Sequence, residues 1–373
     1  MSHFDSLNHR LKGTLLGTKL TIILDAKHKG SDTPVMNRLD RKTRAQILHL
    51  LCEGQSIRAV TRLTGASKNT VAKLLVTAGH ACAAYQDKTL RNLPCKRVQM
   101  DEIWSFVYAK NGNVAAAKAA PEVAGDVWTW TALCADTKLI VSWLLAGRDM
   151  DAALEFTTDL KGRLANRVQL TSDGHRPYLT AVDAMFGEDV DYAMLVKHYG
   201  SPPQAETRYS PAICTGAEKN PKIGKPDTKH ISTSYVERSN LTMRMHMRRF
   251  TRLTNAFSKK VENHAAAIAL HTMYYNFVRI HQTLKVTPAM AAGVSDKLWE
   301  VEDIVVLIEQ FELANYKPEY QFVVRQYAIG RGHSVSVLWR GGEVDSIFGF
   351  EKEADALEWI RETSQAWLLE NRR

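Results

Sequence analysis

The chain has 373 residues, of which 45% are hydrophobic and 24% charged, and its 49 Lys and Arg outnumber 40 Asp and Glu to give a formal net charge of +9. This composition is typical of a globular protein with room for two or three domains of ~100–200 residues, and no apolar run approaches the ~18 residues of a membrane-spanning helix. The excess of positive charge favours a polyanionic partner such as nucleic acid. The five widely spaced cysteines include no C-x-x-C pair, which indicates neither a disulfide framework nor a zinc knuckle.

Residues 1–35 have no periodicity that joins them to the next segment, and we predict a mobile tail there. Within this tail, KLTIILDA is too short for a signal peptide, since its apolar run ends at Asp25 and Lys27 and Lys29 follow. We therefore expect a cytoplasmic protein. Translation from Met36, with the preceding residues as an upstream leader, is the alternative to a start at Met1.

Residues 36–93 are predicted to form an all-α helix-turn-helix domain. Apolar residues recur at helical spacing from Arg41, and the TGAS stretch supplies a glycine turn and a serine N-cap before a third helix. In such a unit the polar residues at the start of the third helix contact base edges in the major groove of double-stranded DNA. These residues are Lys68, Asn69, Thr70 and Lys73. An ordinary three-helix bundle with solvated lysines is the alternative.

After Pro94 the residue pattern changes from that of helices to that of strands. KRVQMDEIWSFVYA, DVWTWTALCA and KLIVSWLLAG predict three consecutive strands, and a helix, the short strand NRVQLTSDG, a second helix and a further strand follow. This βββαβαβα order predicts an α/β fold with a ribonuclease-H-like mixed sheet flanked by helices, spanning residues 94–295. Asp101 lies in the first strand and Asp173 just past the fourth. Strand alternation sends Glu102 to the opposite side, away from these acids.

A third carboxylate is needed if two aspartates on neighbouring strands are to hold a pair of divalent ions. The helix of TSYVERSNLTMRMHMRRFTR offers Glu237, an acid among arginines. The predicted metal ligands and catalytic residues are therefore Asp101, Asp173 and Glu237. Three acids at loose spacing occur in many proteins, so the spacing alone is of low specificity.

Longer motifs strengthen this interpretation. TSDGHRPY, TSYVERSNLTMR, RRFTRLTNAFSKK, NHAAAIALHTMYYNFVRIHQTL and TPAMAAG resemble the catalytic region of IS1-type insertion-sequence transposases of the DDE superfamily, over about Val98 to Gly293. The resemblance implies a ribonuclease-H-like fold, two Mg²⁺ ions per site for which Mn²⁺ can substitute, and transfer of DNA ends in bacterial cytoplasm. Its triad falls on Asp101, Asp173 and Glu237. The cysteine-rich zinc motif with which members often begin is absent here.

Arginines around Glu237 are predicted to grip DNA phosphates, with Arg244 two helical turns beyond it on the same face. The predicted phosphate contacts are Arg238, Arg244, Arg248, Arg249 and Arg252. Solvated surface is the alternative for each arginine taken singly. The sequence leaves two roles open for Asn240 and for His175: a functional contact or a structural hydrogen bond. The long segment Tyr199 to His230 reads as a loop that either closes over DNA or is a spacer.

Residues 296–373 read as a small α+β module of an amphipathic helix, three strands and a closing helix, with no chemistry of its own. Joining two DNA ends in one complex implies at least a homodimer. Two alternatives compete with a transposase: a regulatory helix-turn-helix protein without cleavage activity, and a tyrosine recombinase with Tyr274 or Tyr275 as nucleophile. The strand-rich centre argues against the recombinase.

Overall fold

The computed structural model describes residues 39–200, 213–251, 256–315, 320–326, 332–339 and 344–371. The predicted tail 1–35 and the predicted DNA contact Arg252 lie outside these residues. The chain divides into two compact units, Met1–Glu309 and Gln310–Arg373. The division falls beyond the predicted boundary at 296, because Glu309 accepts hydrogen bonds from Arg41 (2.6 Å) and Arg44 near the start of the first unit.

Three helices open the described chain: α1 Arg41–Cys52, α2 Ile57–Thr64 and α3 Lys68–Thr89. Each begins at a side chain that accepts a backbone N–H, and these N-caps are Asp40, Ser56 and Ser67. The turn between α2 and α3 needs Gly65, which has a φ of 73° that favours glycine. The helices enclose a small core of Ile47, Val60, Ala66 and Val71. The N-terminal helices predicted from the pattern are therefore present.

The third helix is longer than a helix-turn-helix unit needs, at 22 residues. Its second half packs on α8, Val261–Met273, and Gln86 donates a hydrogen bond to the carbonyl oxygen of Ala269 (3.2 Å). The two backbones come closest at Gly79, where an added Cβ would lie 2.4 Å from the Cα of Ala266. This contact joins the N-terminal helices to the rest of the first unit.

Replacing Gly79 with alanine is expected to destabilise the protein by about 1–3 kcal/mol, because the obstacle is backbone and the two helices must separate. The change is measured as the free energy of urea unfolding. Gly112→Ala is the matched control, since a Cβ at this helical glycine meets no atom within 4 Å among the described residues. Equal stability of the two variants would contradict the close packing of α3 on α8.

The central sheet of the first unit has six strands, β1 Arg97–Val107, β2 Gly125–Cys134, β3 Ile140–Ala146, β4 Gln169–Ser172, β5 Asp191–Gly200 and β6 Ile213–Ile223. Their spatial order is β3-β2-β1-β4-β5-β6. β1, β2 and β3 are antiparallel, whereas β1, β4 and β5 are parallel. Three antiparallel strands followed by two parallel ones is the ribonuclease-H-like order, which confirms the predicted mixed α/β sheet.

β6 was not expected, because its residues were assigned to the long loop. It pairs antiparallel with β5 at the edge of the sheet. Its side chains from Cys214 onward are mostly exposed, so neither face selects apolar residues and the alternation that marks a strand is missing. Backbone pairing with β5, rather than a side-chain pattern, defines this strand.

Helices cover both faces of the sheet. On one face α5 Met150–Lys161 and α6 Pro177–Phe186 bury Trp130, whose ring contacts Phe156 and Tyr178. On the other face α7 Ser234–His246 and α8 bury Ile103 and Val107. The described residues before the second sheet also include the short helices α4 Asn111–Val114 and α9 Pro288–Ala291, and α10 Val301–Ala314. Two 3-10 turns, Thr228–His230 and Arg248–Phe250, and a π-helical turn Tyr274–Val278 lie between them. No helix in the described ranges is long and apolar enough to cross a membrane.

The second unit contains an antiparallel sheet of β7 Tyr320–Gln326, β8 His333–Trp339 and β9 Val344–Phe350, followed by α11 Glu353–Glu362 and α12 Ser364–Asn371. Trp359 of α11 packs on the sheet through Phe322 and Phe350, each with ring centroids 6.1 Å away. This is the small antiparallel sheet with a closing helix that the sequence predicts.

Candidate active site

A cavity of about 710 Å³ opens where β1 and β4 run side by side. Met100 of β1 is in register with Ser172 of β4, so the next residue along each strand, Asp101 and Asp173, come together at this point. Glu237 enters from the first turn of α7 and lines the same cavity. The structure thus brings the three sequence-predicted acids to one place, each on a different element.

Asp101 is held by two donors. Its Oδ2 accepts from Asn240 Nδ2 at 2.8 Å, and its Oδ1 accepts from the backbone N–H of Glu102 at 2.9 Å. Burial, with the nearby charge of Asp173, raises the pKa of Asp101 to about 7. Asn240 lies one turn beyond Glu237, and its amide makes a structural hydrogen bond that orients Asp101.

Glu237 has a cationic partner that the sequence did not reveal. Lys197 of β5 donates to both of its carboxylate oxygens, at 2.6 Å to Oε2, and Thr233 Oγ1 donates to Oε1 at 2.5 Å. Burial lowers the pKa of Lys197, but the pairing with Glu237 outweighs it, so the pKa lies above its ordinary value. The ammonium group therefore stays charged beside Glu237.

Glu102 alternates with Asp101 along β1 and points to the opposite side of the strand, as predicted, but its carboxylate nevertheless lies close to the other acids. Asp101, Glu102 and Asp173 each place a carboxylate oxygen within 4.8 Å of the others. β4 ends at Ser172 while β1 continues, so beyond Met100 no neighbouring strand separates the two faces of β1 on this side. Side chains from both faces can therefore reach Asp173. A sequence signal existed, because Glu102 interrupts the otherwise apolar series Met100, Trp104 and Phe106.

Glu102 is a buried carboxylate that is only partly satisfied. Its Oε2 accepts from Arg148 Nε at 3.1 Å, and its buried Oε1 has no hydrogen-bond partner among the described residues. Burial, followed by the charge of Asp173, raises its pKa to about 7. Burial and the repulsion from Asp173 therefore both oppose the negative charges of these two neighbouring acids.

These residues fit a hard divalent cation. All the clustered donors are carboxylate oxygens, which Mg²⁺ and Mn²⁺ prefer, and a cation would satisfy the orphaned Glu102 Oε1 and relieve the repulsion. Asp101, Glu102 and Asp173 have the spacing of ligands, whereas Glu237 is engaged by Lys197 and needs release before it can bind a metal.

Arg148 is a further residue that the sequence reasoning missed. It follows β3, lines the cavity, and lies 3.8 Å from Asp173 through Nη2. Its guanidinium also lies over the ring of Trp128, 4.7 Å from the centroid. Because Glu102 and Trp128 both restrain it, Arg148 presents a pre-oriented cation at the rim of the acidic site.

His175 follows Asp173 by two residues and lines the same cavity. Its backbone N–H donates to Asp173 Oδ1 at 3.0 Å, and its ring packs edge-on against Tyr178, 5.8 Å away. Burial, followed by the charge of Arg148, lowers its pKa. The histidine is therefore neutral at physiological pH and shapes the turn that presents Asp173.

The predicted DNA-binding arginines have different environments. Arg238 and Arg248 are exposed, and Arg244 is half-buried and outside the lining of the acidic cavity. Arg249 turns inward: its Nη1 donates to Ser258 at 2.6 Å, and burial lowers its pKa to about 10. The structure therefore gives Arg249 an internal contact.

At the start of α3, Lys68, Asn69 and Lys73 are exposed. Thr70 is half-buried, and its hydroxyl lies 2.9 Å from the N-cap Ser67 Oγ. Thr70 therefore takes part in the cap of the helix, while the other three side chains are free to face a partner.

No family model matches this sequence, and no curated protein matches it. Among solved structures, a piggyBac transposase in a synaptic complex with hairpin DNA is similar with a TM-score of 0.35 and 9% identity, over 74% of this chain and 73% of that chain. A simian T-cell lymphotropic virus intasome in complex with PP2A regulatory subunit B56 gamma gives a TM-score of 0.29 and 12% identity, over 82% and 95% of the two chains. Both TM-scores are low, so the assignment of the fold rests on the strand order of the sheet.

Proposed function

We propose that this protein is a DNA transposase of an IS1-type insertion element, which binds the terminal repeats and catalyses metal-dependent strand cleavage and strand transfer. The convergence of Asp101, Asp173 and Glu237 on one cavity of a ribonuclease-H-like sheet carries the proposal. The positive net charge agrees with a nucleic-acid substrate. The motifs that resemble IS1-type transposases surround these same acids.

In this proposal Asp101 and Asp173 would hold the divalent ions, and Glu237 would complete the set once it is free of Lys197. Bound Mg²⁺ or Mn²⁺ supplies Lewis-acid activation of the attacking oxygen and stabilisation of the leaving oxygen. Asn240 keeps the Asp101 carboxylate oriented. Arg148, restrained by Glu102, is placed to contact a phosphate oxygen at the cavity rim. No covalent link between protein and DNA is required.

The exposed cationic and amide side chains outside the cavity have a positioning role in this proposal. Lys68, Asn69 and Lys73 on the helix-turn-helix unit contact the terminal repeats, and Arg238 and Arg248 contact the DNA backbone. Each phosphate contact adds to the salt dependence of binding. Joining two ends in one complex calls for a homodimer or a larger assembly.

The tyrosine-recombinase alternative gains no support. Tyr274 donates a hydrogen bond to Glu53 at 2.9 Å, and Tyr275 is buried in a cluster with Leu133, Ile140 and Val236. Neither hydroxyl lines the acidic cavity. A nucleophile must reach its phosphate, and these side chains are committed to packing.

The test is cleavage of labelled DNA that carries the inverted repeats flanking the gene, with purified protein and Mg²⁺. Asp173→Asn and Glu237→Gln are each expected to abolish nicking, since each removes a negatively charged metal ligand without changing size. Asp183→Asn is the matched control, because this exposed aspartate on α6 lies away from the cavity. Nicking that survives both active-site substitutions would refute the proposal. Binding without any nicking would favour a regulatory DNA-binding protein.

A further inference from the structure

A row of aromatic residues leads away from the acidic site along the β1–β2 ladder. Three cross-strand pairs share one face of the sheet: Glu102 with Trp130, Trp104 with Trp128, and Phe106 with Asp126. Packing from α5 and α6 buries Trp130 in the first pair. In the next two pairs Trp104, Trp128 and Phe106 stay half-exposed. We call these three residues the aromatic strip.

The rings of the strip form a continuous surface. The centroids of Trp104 and Phe106 are 5.8 Å apart, and Phe257 extends the row with a centroid 5.2 Å from Phe106. Trp104 and Trp128 face each other across the two strands. Half-exposed tryptophan and phenylalanine side chains in one row form an apolar aromatic surface that is poorly hydrated.

Cations accompany the strip at both of its tryptophans. Lys110 Nζ lies over Trp104, 5.6 Å from the ring centroid, and the Arg148 guanidinium lies over Trp128 at 4.7 Å. The carboxylate on this face beyond Glu102 is Asp126, whose Oδ1 accepts from the backbone N–H of Asn111 at 3.2 Å. Two cations therefore accompany the aromatic rings of the strip, and Asp126 is the acid of the third cross-strand pair.

Arg148 connects the strip to the acidic site. The same guanidinium that covers Trp128 contacts Glu102 (3.1 Å) and Asp173 (3.8 Å). A chain of phosphates with one phosphate at the acids can therefore continue past Arg148 with its bases above Trp104 and Phe106.

We propose that the aromatic strip binds unpaired bases of the DNA strand next to the phosphate that is cleaved. This inference rests on the proposed function and specifies the substrate as DNA opened beside the scissile bond. Stacking on aromatic side chains tolerates any base, while neighbouring cations neutralise the backbone, which matches the composition of the strip. If the strips of two copies of the chain packed face to face, Lys110 and Arg148 of one copy would meet the same cations of the other. The repulsion between these like charges disfavours self-association through the strip.

The test measures DNA binding without chemistry, using the full chain with Ca²⁺ in place of Mg²⁺. The probes are a short blunt duplex and the same duplex with an unpaired tail that contains 2-aminopurine, whose fluorescence falls on stacking. Trp104→Ala is expected to weaken binding of the tailed duplex by about five- to a hundredfold and to restore the fluorescence, because one base loses its stacking partner. Binding of the blunt duplex stays within about twofold.

Three further variants sharpen the result. Trp104→Phe keeps an aromatic face and is expected to retain most of the tail binding. Phe106→Ala provides a second alanine variant if Trp104→Ala fails to fold. Tyr235→Ala is the matched control, because Tyr235 also carries a lysine over its ring, Lys138 at 3.2 Å, but lies on α7, which packs against the opposite face of the sheet.

Equal weakening with the tailed and blunt probes, or no weakening with either, would overturn the inference. A second result would also overturn it. If Trp104→Ala left binding of the tailed duplex unchanged but altered the sedimentation of the DNA-free protein, the strip would be an interface between copies of the chain. Failure of the proposed function is a separate outcome: the protein would then bind the tailed probe through the strip but never nick DNA in Mg²⁺.

Discussion

Replacing Asp101 with asparagine is expected to abolish DNA cleavage while making the metal-free protein more stable. Cleavage should fall by roughly a thousandfold or more, since the substitution removes a charged metal ligand at the reacting phosphate. Stability should rise because ionising the buried Asp101 carboxyl costs free energy in the folded protein, as its raised pKa of about 7 indicates, and asparagine carries no charge. At about pH 8 we expect a gain of about 1–3 kcal/mol in the free energy of unfolding.

The raised pKa of Asp101 also makes the free energy of unfolding depend on pH. The folded protein keeps a proton on Asp101, with a pKa of about 7, that the unfolded chain loses near its ordinary value of 3.8. Between these values the folded state binds more protons, so stability falls as pH rises through this window. Glu102, whose pKa is also raised to about 7, acts in the same direction.

Urea unfolding at about pH 5 and about pH 8, with and without Mg²⁺, measures these effects. The wild-type protein should lose stability at the higher pH and regain it with Mg²⁺, because an ion that binds only the folded state stabilises it. Asp101→Asn should show a weaker dependence on both pH and Mg²⁺. Loss of cleavage together with a loss of stability would instead indicate a structural role for Asp101.

Replacing Lys197 with methionine is expected to separate metal binding from catalysis. In the folded protein Lys197 contacts both carboxylate oxygens of Glu237, so the ammonium group competes with a metal for this ligand. Removing it should increase Mn²⁺ affinity several-fold, since the carboxylate no longer has a cationic partner. Cleavage at saturating Mn²⁺ should nevertheless fall by about ten- to a hundredfold, because the freed ammonium lines the cavity where the phosphate binds.

Titration of Mn²⁺ by electron paramagnetic resonance, alongside the cleavage rate at saturating metal, tests this separation. Lys197→Arg is the matched variant, because it keeps the charge and should keep the metal affinity near that of the wild type. A fall in both metal affinity and cleavage in Lys197→Met would contradict competition and would mean that Lys197 instead holds Glu237 in place for the metal.

Much of the architecture followed from local patterns. The N-cap serines and Gly65 are short-range signals, so α2, α3 and their turn were predictable. The alternation along β1 places Ile103 and Val107 on one side of the strand, and both are buried there. β6 escaped prediction because an exposed edge strand carries no hydrophobic alternation.

The candidate site likewise has residues that the sequence predicted and residues that it did not. Asp101, Asp173 and Glu237 stand in recognisable motifs, and their convergence was an expectation from strand order. Lys197, Arg148 and Asn240 were unpredicted as partners of these acids, because each contact joins residues that are distant in the chain. No pattern within one segment encodes such a pair.

The sequence by itself determined the helices, most strands, the excess of positive charge and the three acids, because these depend on residue type and on periods of two or 3.6 residues. The tertiary structure decided which groups surround those acids. β4 ends at Ser172 while β1 continues, and this difference in strand length lets Glu102 reach Asp173 beside Asp101. Register and strand ends are properties of paired strands, so a single segment could not specify them.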